Sequence, residues 1–135
     1  MITYRKDSTL VKEELKKLYT SVGWVSYTKN MSLLEDALIN SLSTMTAWNK
    51  DELIGLIRVV GDGKTIIYIQ DILIHPNFQH LGIGTTLMTS MLNEYANVRQ
   101  KVLLTENVPS LRKFYQKFNF TSCDKGTLVS FYKEF

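Results

Sequence analysis

Six residues set the chemistry this chain can attempt: Gln79-His80-Leu81-Gly82-Ile83-Gly84. They follow an apolar, strand-like run and open an amphipathic one. Two glycines at the start of a helix let backbone N–H groups come close to an anion, and the helix dipole adds about half a positive charge there. The ligand that fits such a loop is a pyrophosphate. Two common phosphate loops do not match. A dinucleotide fingerprint needs a third small residue three positions after the second glycine, and Leu87 stands there. A Walker loop needs Gly-Lys-Ser/Thr, and no lysine follows Gly82 or Gly84.

A second set could handle an amine. Gln70 and Asp71 interrupt the apolar run 66–74. A carboxylate inside such a strand is costly unless it is paired or working. Partial burial would raise its pKa towards the range of a general base, or it could bind an ammonium directly. The alternatives are an edge salt bridge, or a β-bulge that turns the side chain to solvent. Trp24, Tyr27 and Trp48 are concentrated aromatics whose faces suit a cationic amine or an aromatic ring, with core packing as the equal alternative. Arg58 on a central strand is a candidate for an acceptor carboxylate. His75 and His80 flank the glycine loop and read as structural. Cys123 reads as an inert small apolar residue.

These residues need elements to position them. Residues 2–5 alternate as a short strand. Leu10, Val11, Leu15, Leu18 and Tyr19 recur at helical spacing, with Ser8 as the expected N-cap and Gly23 as the stop. Residues 24–29 form an aromatic loop. Ser32 and Glu35 fit a capping box ahead of a second helix. Residues 44–49, 53–60 and 65–75 read as an antiparallel meander, turning at Asn49-Lys50-Asp51 and Gly61-Asp62-Gly63. The helix after Gly82 carries Ile83, Leu87, Met88, Met91, Leu92 and Tyr95 on one face. Residues 101–105 give a further strand. Pro109 opens a helix with Leu111, Phe114, Tyr115 and Phe118 on its apolar face. Residues 119–123 and 127–133 read as a closing hairpin around Lys125-Gly126. The predicted order is β-α-α-β-β-β-α-β-α-β-β.

Composition narrows the function classes. The 135 residues are 44% hydrophobic and 21% charged, which suits one globular domain with a real core. A net charge of +3 mildly favours an anionic ligand, and its lysines are scattered rather than gathered into a basic stripe, so no nucleic-acid partner is expected. No run is long and apolar enough to span a membrane, and no signal-peptide core opens the chain, so a cytoplasmic protein without a membrane partner is expected. One cysteine excludes an intramolecular disulfide and leaves no metal-ligand cluster.

Several features together resemble the GNAT superfamily of N-acetyltransferases. The loop Gln79-x-x-Gly82-x-Gly84 matches its R/Q-x-x-G-x-G/A, with Pro76 before it and Thr85-Thr86-Leu87-Met88 after it. Phe114-Tyr115-Gln116-Lys117-Phe118-Asn119-Phe120 resembles its F-Y-x-K-x-G-F, and Asn119, which replaces the glycine, also tolerates a left-handed backbone. The element order matches across the whole chain.

The resemblance implies an α/β (α+β) GNAT fold in a single domain over residues 1–135. Its sheet would be mixed, mostly antiparallel and twisted, with six to seven strands flanked by about four helices. The implied cofactor is acetyl-CoA, with no metal. Gln79, His80, Leu81, Gly82, Ile83, Gly84 and Thr85 would hold its pyrophosphate. The backbone of Ile72, Leu73 and Ile74 would pair with the pantetheine arm, and Asn107 is a further cofactor-binding candidate. Tyr115 would protonate the leaving thiolate. Asp71 would act as the base, unless a water chain does. Trp24, Tyr27, Arg58 and Asp71 would form the acceptor side.

The implied activity is acetyl transfer to a primary amine of a small molecule. Direct attack is expected, because Cys123 lies outside the cofactor loop and strand. A peptide or protein amine, or a non-catalytic acyl-CoA-binding module, stays open as an alternative. A homodimer is compatible with the family pattern.

Overall fold

The run Glu52–Gly61 is apolar at nearly every position, and it occupies the centre of a sheet covered on both faces. In the computed structural model, which describes residues 1–135, five strands lie in simple sequence order. They are β1 (Ile2–Lys6), β2 (Ser43–Asn49), β3 (Glu52–Gly61), β4 (Ile66–Ile74) and β5 (Gln100–Leu103). The first four pair antiparallel and β5 joins β4 in parallel. Five helices accompany them: α1 (Lys12–Ser21), α2 (Val25–Thr28), α3 (Met31–Ile39), α4 (Ile83–Glu94) and α5 (Pro109–Gln116). Two compact units result, Met1–Leu103 and Leu104–Phe135.

Alternation along β3 assigns its two faces. Leu56 joins Trp48, Leu53 and Leu73 beneath Leu15, Leu18 and Tyr19 of α1 and Met31 and Leu34 of α3. The opposite face takes α4, which buries Ile83, Leu87, Met88 and Met91. Leu18 has no exposed surface, so Leu18→Ala would cost about 2–5 kcal/mol. Gly55 lets α4 sit close: a Cβ there would stand 3.2 Å from Ile83 Cγ2 and 3.1 Å from Ile74 Cδ1.

The turns fall where the sequence places them. Lys50 adopts φ +57° between β2 and β3. Between β3 and β4 the Asp62 carboxylate accepts from the amides of Lys64, Thr65 and Ile66 and from Thr65 Oγ1. Those donors, led by the Lys64 amide, hold it well below the usual carboxylate range. Asn119 has φ +67°, the left-handed backbone expected where the family motif has glycine.

Several expectations are corrected. The sheet has five strands, not six to seven, because the closing hairpin at 119–123 and 127–133 does not form; only a 3-10 turn at Cys123–Lys125 appears. Alternation predicts those strands, but a two-stranded hairpin without a third strand is marginal. Five α-helices replace about four, since the aromatic loop holds the single turn α2. α1 begins after Val11, and Ser8 does not cap it. α3 is capped by Asn30, whose Oδ1 accepts from the Leu33 amide at 3.1 Å, so the capping signal lies two residues before Ser32.

Candidate active site

α4 starts on Gly82, which has φ +81° and ψ 7°. That left-handed conformation costs about 1–2 kcal/mol for a residue with a Cβ, which explains the glycine. Above Gly82 the space is open: a Cβ would meet nothing within 4 Å. The Ile83 and Gly84 amides lie ahead of the first intrahelical bond, from Thr86 N to Gly82 O at 3.0 Å. No acidic side chain sits in the first turn. His80, Leu81 and Gly82 are exposed. A group of backbone donors with positive potential and open space fits the pyrophosphate of a nucleotide cofactor.

The approach to this loop is held by its own side chains. Gln79 Nε2 donates to the Ile74 carbonyl at 3.1 Å, closing the turn from the end of β4. His75 Nδ1 accepts from the Asn77 amide at 3.1 Å and caps the 3-10 turn Pro76–Phe78. His75 is structural, as its position suggests.

Beside the loop, the β4–β5 ladder runs only from Ile66↔Gln100 to Ile69↔Leu103. β4 continues to Ile74, so its edge over residues 70–74 has no strand beside it. An extended ligand could pair there as an added strand does. Ile72, Leu73 and Ile74 all lie on this stretch.

Opposite that edge lies a buried polar cluster. Arg58 and Asp71 are cross-strand partners on β3 and β4, and both are buried. Arg58 Nε donates to Asp71 Oδ2 at 2.8 Å. Tyr19 Oη from α1 donates to the same oxygen at 3.0 Å, and Tyr27 Oη from α2 donates to Oδ1 at 2.7 Å. Arg58 also reaches Ser41 Oγ at 3.4 Å and Tyr27 Oη at 3.5 Å. No buried side-chain nitrogen or oxygen lacks a partner. Burial, reinforced by Asp71, pushes both tyrosine hydroxyls above their ordinary range. For Arg58, burial pulls the guanidinium down, but Asp71 outweighs it and the net shift is upward.

This occupation bears on two of the expected site residues. Arg58 Nε is committed to Asp71, and its terminal nitrogens reach Ser41 and Tyr27. Asp71 accepts from three donors, one of them the Arg58 cation, an arrangement that suits positioning its neighbours. Of the aromatics, Trp48 is core, donating to Thr46 Oγ1 at 2.7 Å. Trp24 and Tyr27 are half-buried, with ring centroids 6.1 Å apart. Tyr19 reads in the sequence only as a core helix residue. Its signal would have been a hydroxyl at a core position, which needs a partner when buried.

The second unit holds the other two expected residues. Tyr115 is buried, and burial pushes its hydroxyl up while a hydrogen bond with Thr105 opposes. Phe114 and Phe120 contact its ring edgewise at 5.1 and 6.2 Å. Asn107 Oδ1 accepts from Arg112 Nε at 2.6 Å, so its carbonyl oxygen is committed within the unit. Arg112 also reaches Ser122 and Asp124.

Comparison with known proteins agrees with this geometry. The model of the acetyltransferase (GNAT) domain matches residues 11–131. An uncharacterized N-acetyltransferase, ycf52-like, from Prochlorococcus marinus is 33% identical over 88% of this chain and 67% of its own length. The GNAT-family acetyltransferase SP0256 from Streptococcus pneumoniae superimposes with a TM-score of 0.83 at 32% identity, covering 99% of this chain and all of the other. An aminoglycoside N-acetyltransferase in complex with CoA shares the fold, with a TM-score of 0.73 at 17% identity over 99% of this chain and 95% of its own. No helix is long and apolar enough to cross a membrane. With its loop, its sheet and these relatives, the chain belongs to the GNAT superfamily of N-acetyltransferases and is an acyltransferase.

Proposed function

We propose that this protein binds acetyl-CoA and transfers the acetyl group to a primary amine of a small molecule by direct attack. One observation carries the reading: the open, left-handed Gly82 loop lies at the end of the same strand whose edge from Gln70 to Ile74 has no strand beside it. Loop amides would hold the pyrophosphate, with Gln79 shaping the turn. The backbone of Ile72–Ile74 would hold the pantetheine arm in extended form. A CoA-bound aminoglycoside acetyltransferase of the same fold supports both the cofactor and a small-molecule amine.

The cofactor supplies an acetyl thioester. The amine nitrogen would bond to the acetyl carbon as the carbon–sulfur bond breaks, with the thiolate as leaving group and the nitrogen's proton passing to water. By the family motif that Phe114-Tyr115-Gln116-Lys117 resembles, Tyr115 would donate to the departing sulfur. Its raised pKa keeps the phenol protonated at neutral pH. Full transfer to a thiolate, whose acid lies near ~8.5, is uphill, so the hydroxyl acts chiefly as a hydrogen-bond donor to developing charge. Tyr115→Phe should lower kcat about 100-fold while leaving acetyl-CoA affinity unchanged. Wild-type turnover in that variant would reduce Tyr115 to packing.

The test of the function itself is release of free thiol from acetyl-CoA against a panel of small amines, amino acids and peptides. Turnover confined to small amines supports the reading. Turnover of peptides alone, or acetyl-CoA binding without turnover, contradicts it.

A further inference from the structure

Gln70 stands out on β4. It is exposed, while Ile69 and Asp71 on either side are buried. The register across β3 and β4 steps from Arg58↔Asp71 to Val59↔Ile69, so Gln70 is the extra residue of a bulge. Bulges re-aim a side chain. Here it is aimed at Tyr27, with Gln70 Nε2 and Tyr27 Oη 3.2 Å apart.

The direction of each hydrogen bond in this chain is fixed. The Asp71 carboxylate, ion-paired to Arg58, can only accept. Tyr27 has one hydroxyl proton, and it goes to Asp71 at 2.7 Å. Toward Gln70 the Tyr27 oxygen can therefore only accept, so the amide must present its NH2 group to it. Gln70 Oε1 then faces away from the cluster. It is an acceptor held in place by a relay from Arg58 through Asp71 and Tyr27.

We infer that Gln70 Oε1 receives the amino group of the acceptor substrate. The inference rests on the acetyl-transfer reading and deepens it. Gln70 opens the same unpaired stretch of β4 that continues through Ile72–Ile74, so a group bound at its oxygen lies beside the proposed cofactor strand. Charge sharpens the role. The charged and titratable groups packed behind Gln70 are Asp71, Arg58, Tyr27 and Tyr19. Asp71 and Arg58 cancel, and both tyrosines are neutral. The amide oxygen carries no net charge, so it favours an ammonium over a neutral amine far less than a carboxylate would. It therefore leaves more of the amine as free base than a carboxylate would, and only the free base can attack a thioester.

The experiment compares wild type, Gln70→Leu and Gln70→Glu by thiol release, varying the amine at saturating acetyl-CoA and acetyl-CoA at saturating amine, across a panel of amines and from pH 6 to about pH 10. Loss of one neutral hydrogen bond should raise the amine KM of Gln70→Leu about 3- to 10-fold and leave the acetyl-CoA KM and the melting temperature unchanged. Gln70→Glu should move the acidic limb of kcat/KM to higher pH, because a carboxylate favours the ammonium. In a Tyr27→Phe background the amide is free to rotate, and the Gln70→Leu effect should shrink. The assignment is overturned if Gln70→Leu keeps its amine KM within about twofold, or if acetyl-CoA KM moves in its place. A wild-type protein that acetylates no amine overturns the functional reading and this assignment together. Wild-type turnover matched by Gln70→Leu overturns the assignment alone.

Discussion

The Arg58–Asp71 cluster and the Gly82 loop are built on opposite principles. In the cluster, side chains from α1, α2, β3 and β4 satisfy one another, and nothing buried is left over. In the loop, the working groups are backbone amides at a helix start, and the space above Gly82 is open. A satisfied cluster contributes shape: it fixes α2 and Tyr27 against the sheet. An open loop contributes binding capacity. Substitutions in the first should therefore appear as lost stability, and in the second as lost affinity.

The largest expected effect is on the cluster. Arg58→Ala leaves a buried carboxylate without its cation and should cost about 3–5 kcal/mol in urea unfolding. Replacing both partners, as Arg58→Met with Asp71→Leu, should recover only part of that loss: desolvation of the pair is avoided, but the buried Tyr19 hydroxyl loses its acceptor. A single-substitution cost under about 1 kcal/mol would show that the pair does not organise the fold.

Tyr27→Phe removes one hydrogen bond to the carboxylate and should cost about 1.5 kcal/mol. A loss indistinguishable from zero would make Tyr27 a bystander and free α2 from the sheet.

pH gives a gentler break. Tyr19 and Tyr27 both have hydroxyls raised above the ordinary 10.0. A raised folded-state pKa means their contribution is whole below about pH 10 and is lost as pH rises beyond it. Unfolding free energy should decline above pH 10 in wild type, and less steeply in Tyr27→Phe. Equal slopes would separate the hydroxyl from the carboxylate.

Smallest of all is the stability effect in the loop. Leu81 is 64% exposed, so Leu81→Ser should stay within about 0.5 kcal/mol of wild type. A larger loss would mean that the loop, too, is held by packing.

How much of this was legible in the sequence follows from the same contrast. The loop was legible because backbone conformation leaves a direct mark: glycine at a left-handed helix start, proline before it, and an apolar stripe after it. Asn119 was legible for the same reason. The cluster was legible only in part. Asp71 announced itself as a carboxylate in an apolar strand, and Arg58 as a cation in another. Their pairing depends on register, and the bulge at Gln70 shifts register in a way that alternation does not encode. The two do flank a tight turn at similar distance, which was the available clue. The hairpin predicted after residue 119 failed because alternation records which residues can form a strand, not whether a partner strand exists.

The central claim is that backbone donors at Gly82 hold the cofactor independently of the buried cluster. Calorimetric titration of acetyl-CoA into wild type and Gly82→Glu tests it most directly. The Glu side chain would occupy the open approach and set a negative charge against the pyrophosphate, at a strain of about 1–2 kcal/mol that leaves the fold intact. The expected result is measurable binding in wild type, none in Gly82→Glu, and a cooperative unfolding transition in both. Undiminished acetyl-CoA affinity in a folded Gly82→Glu protein would contradict the account.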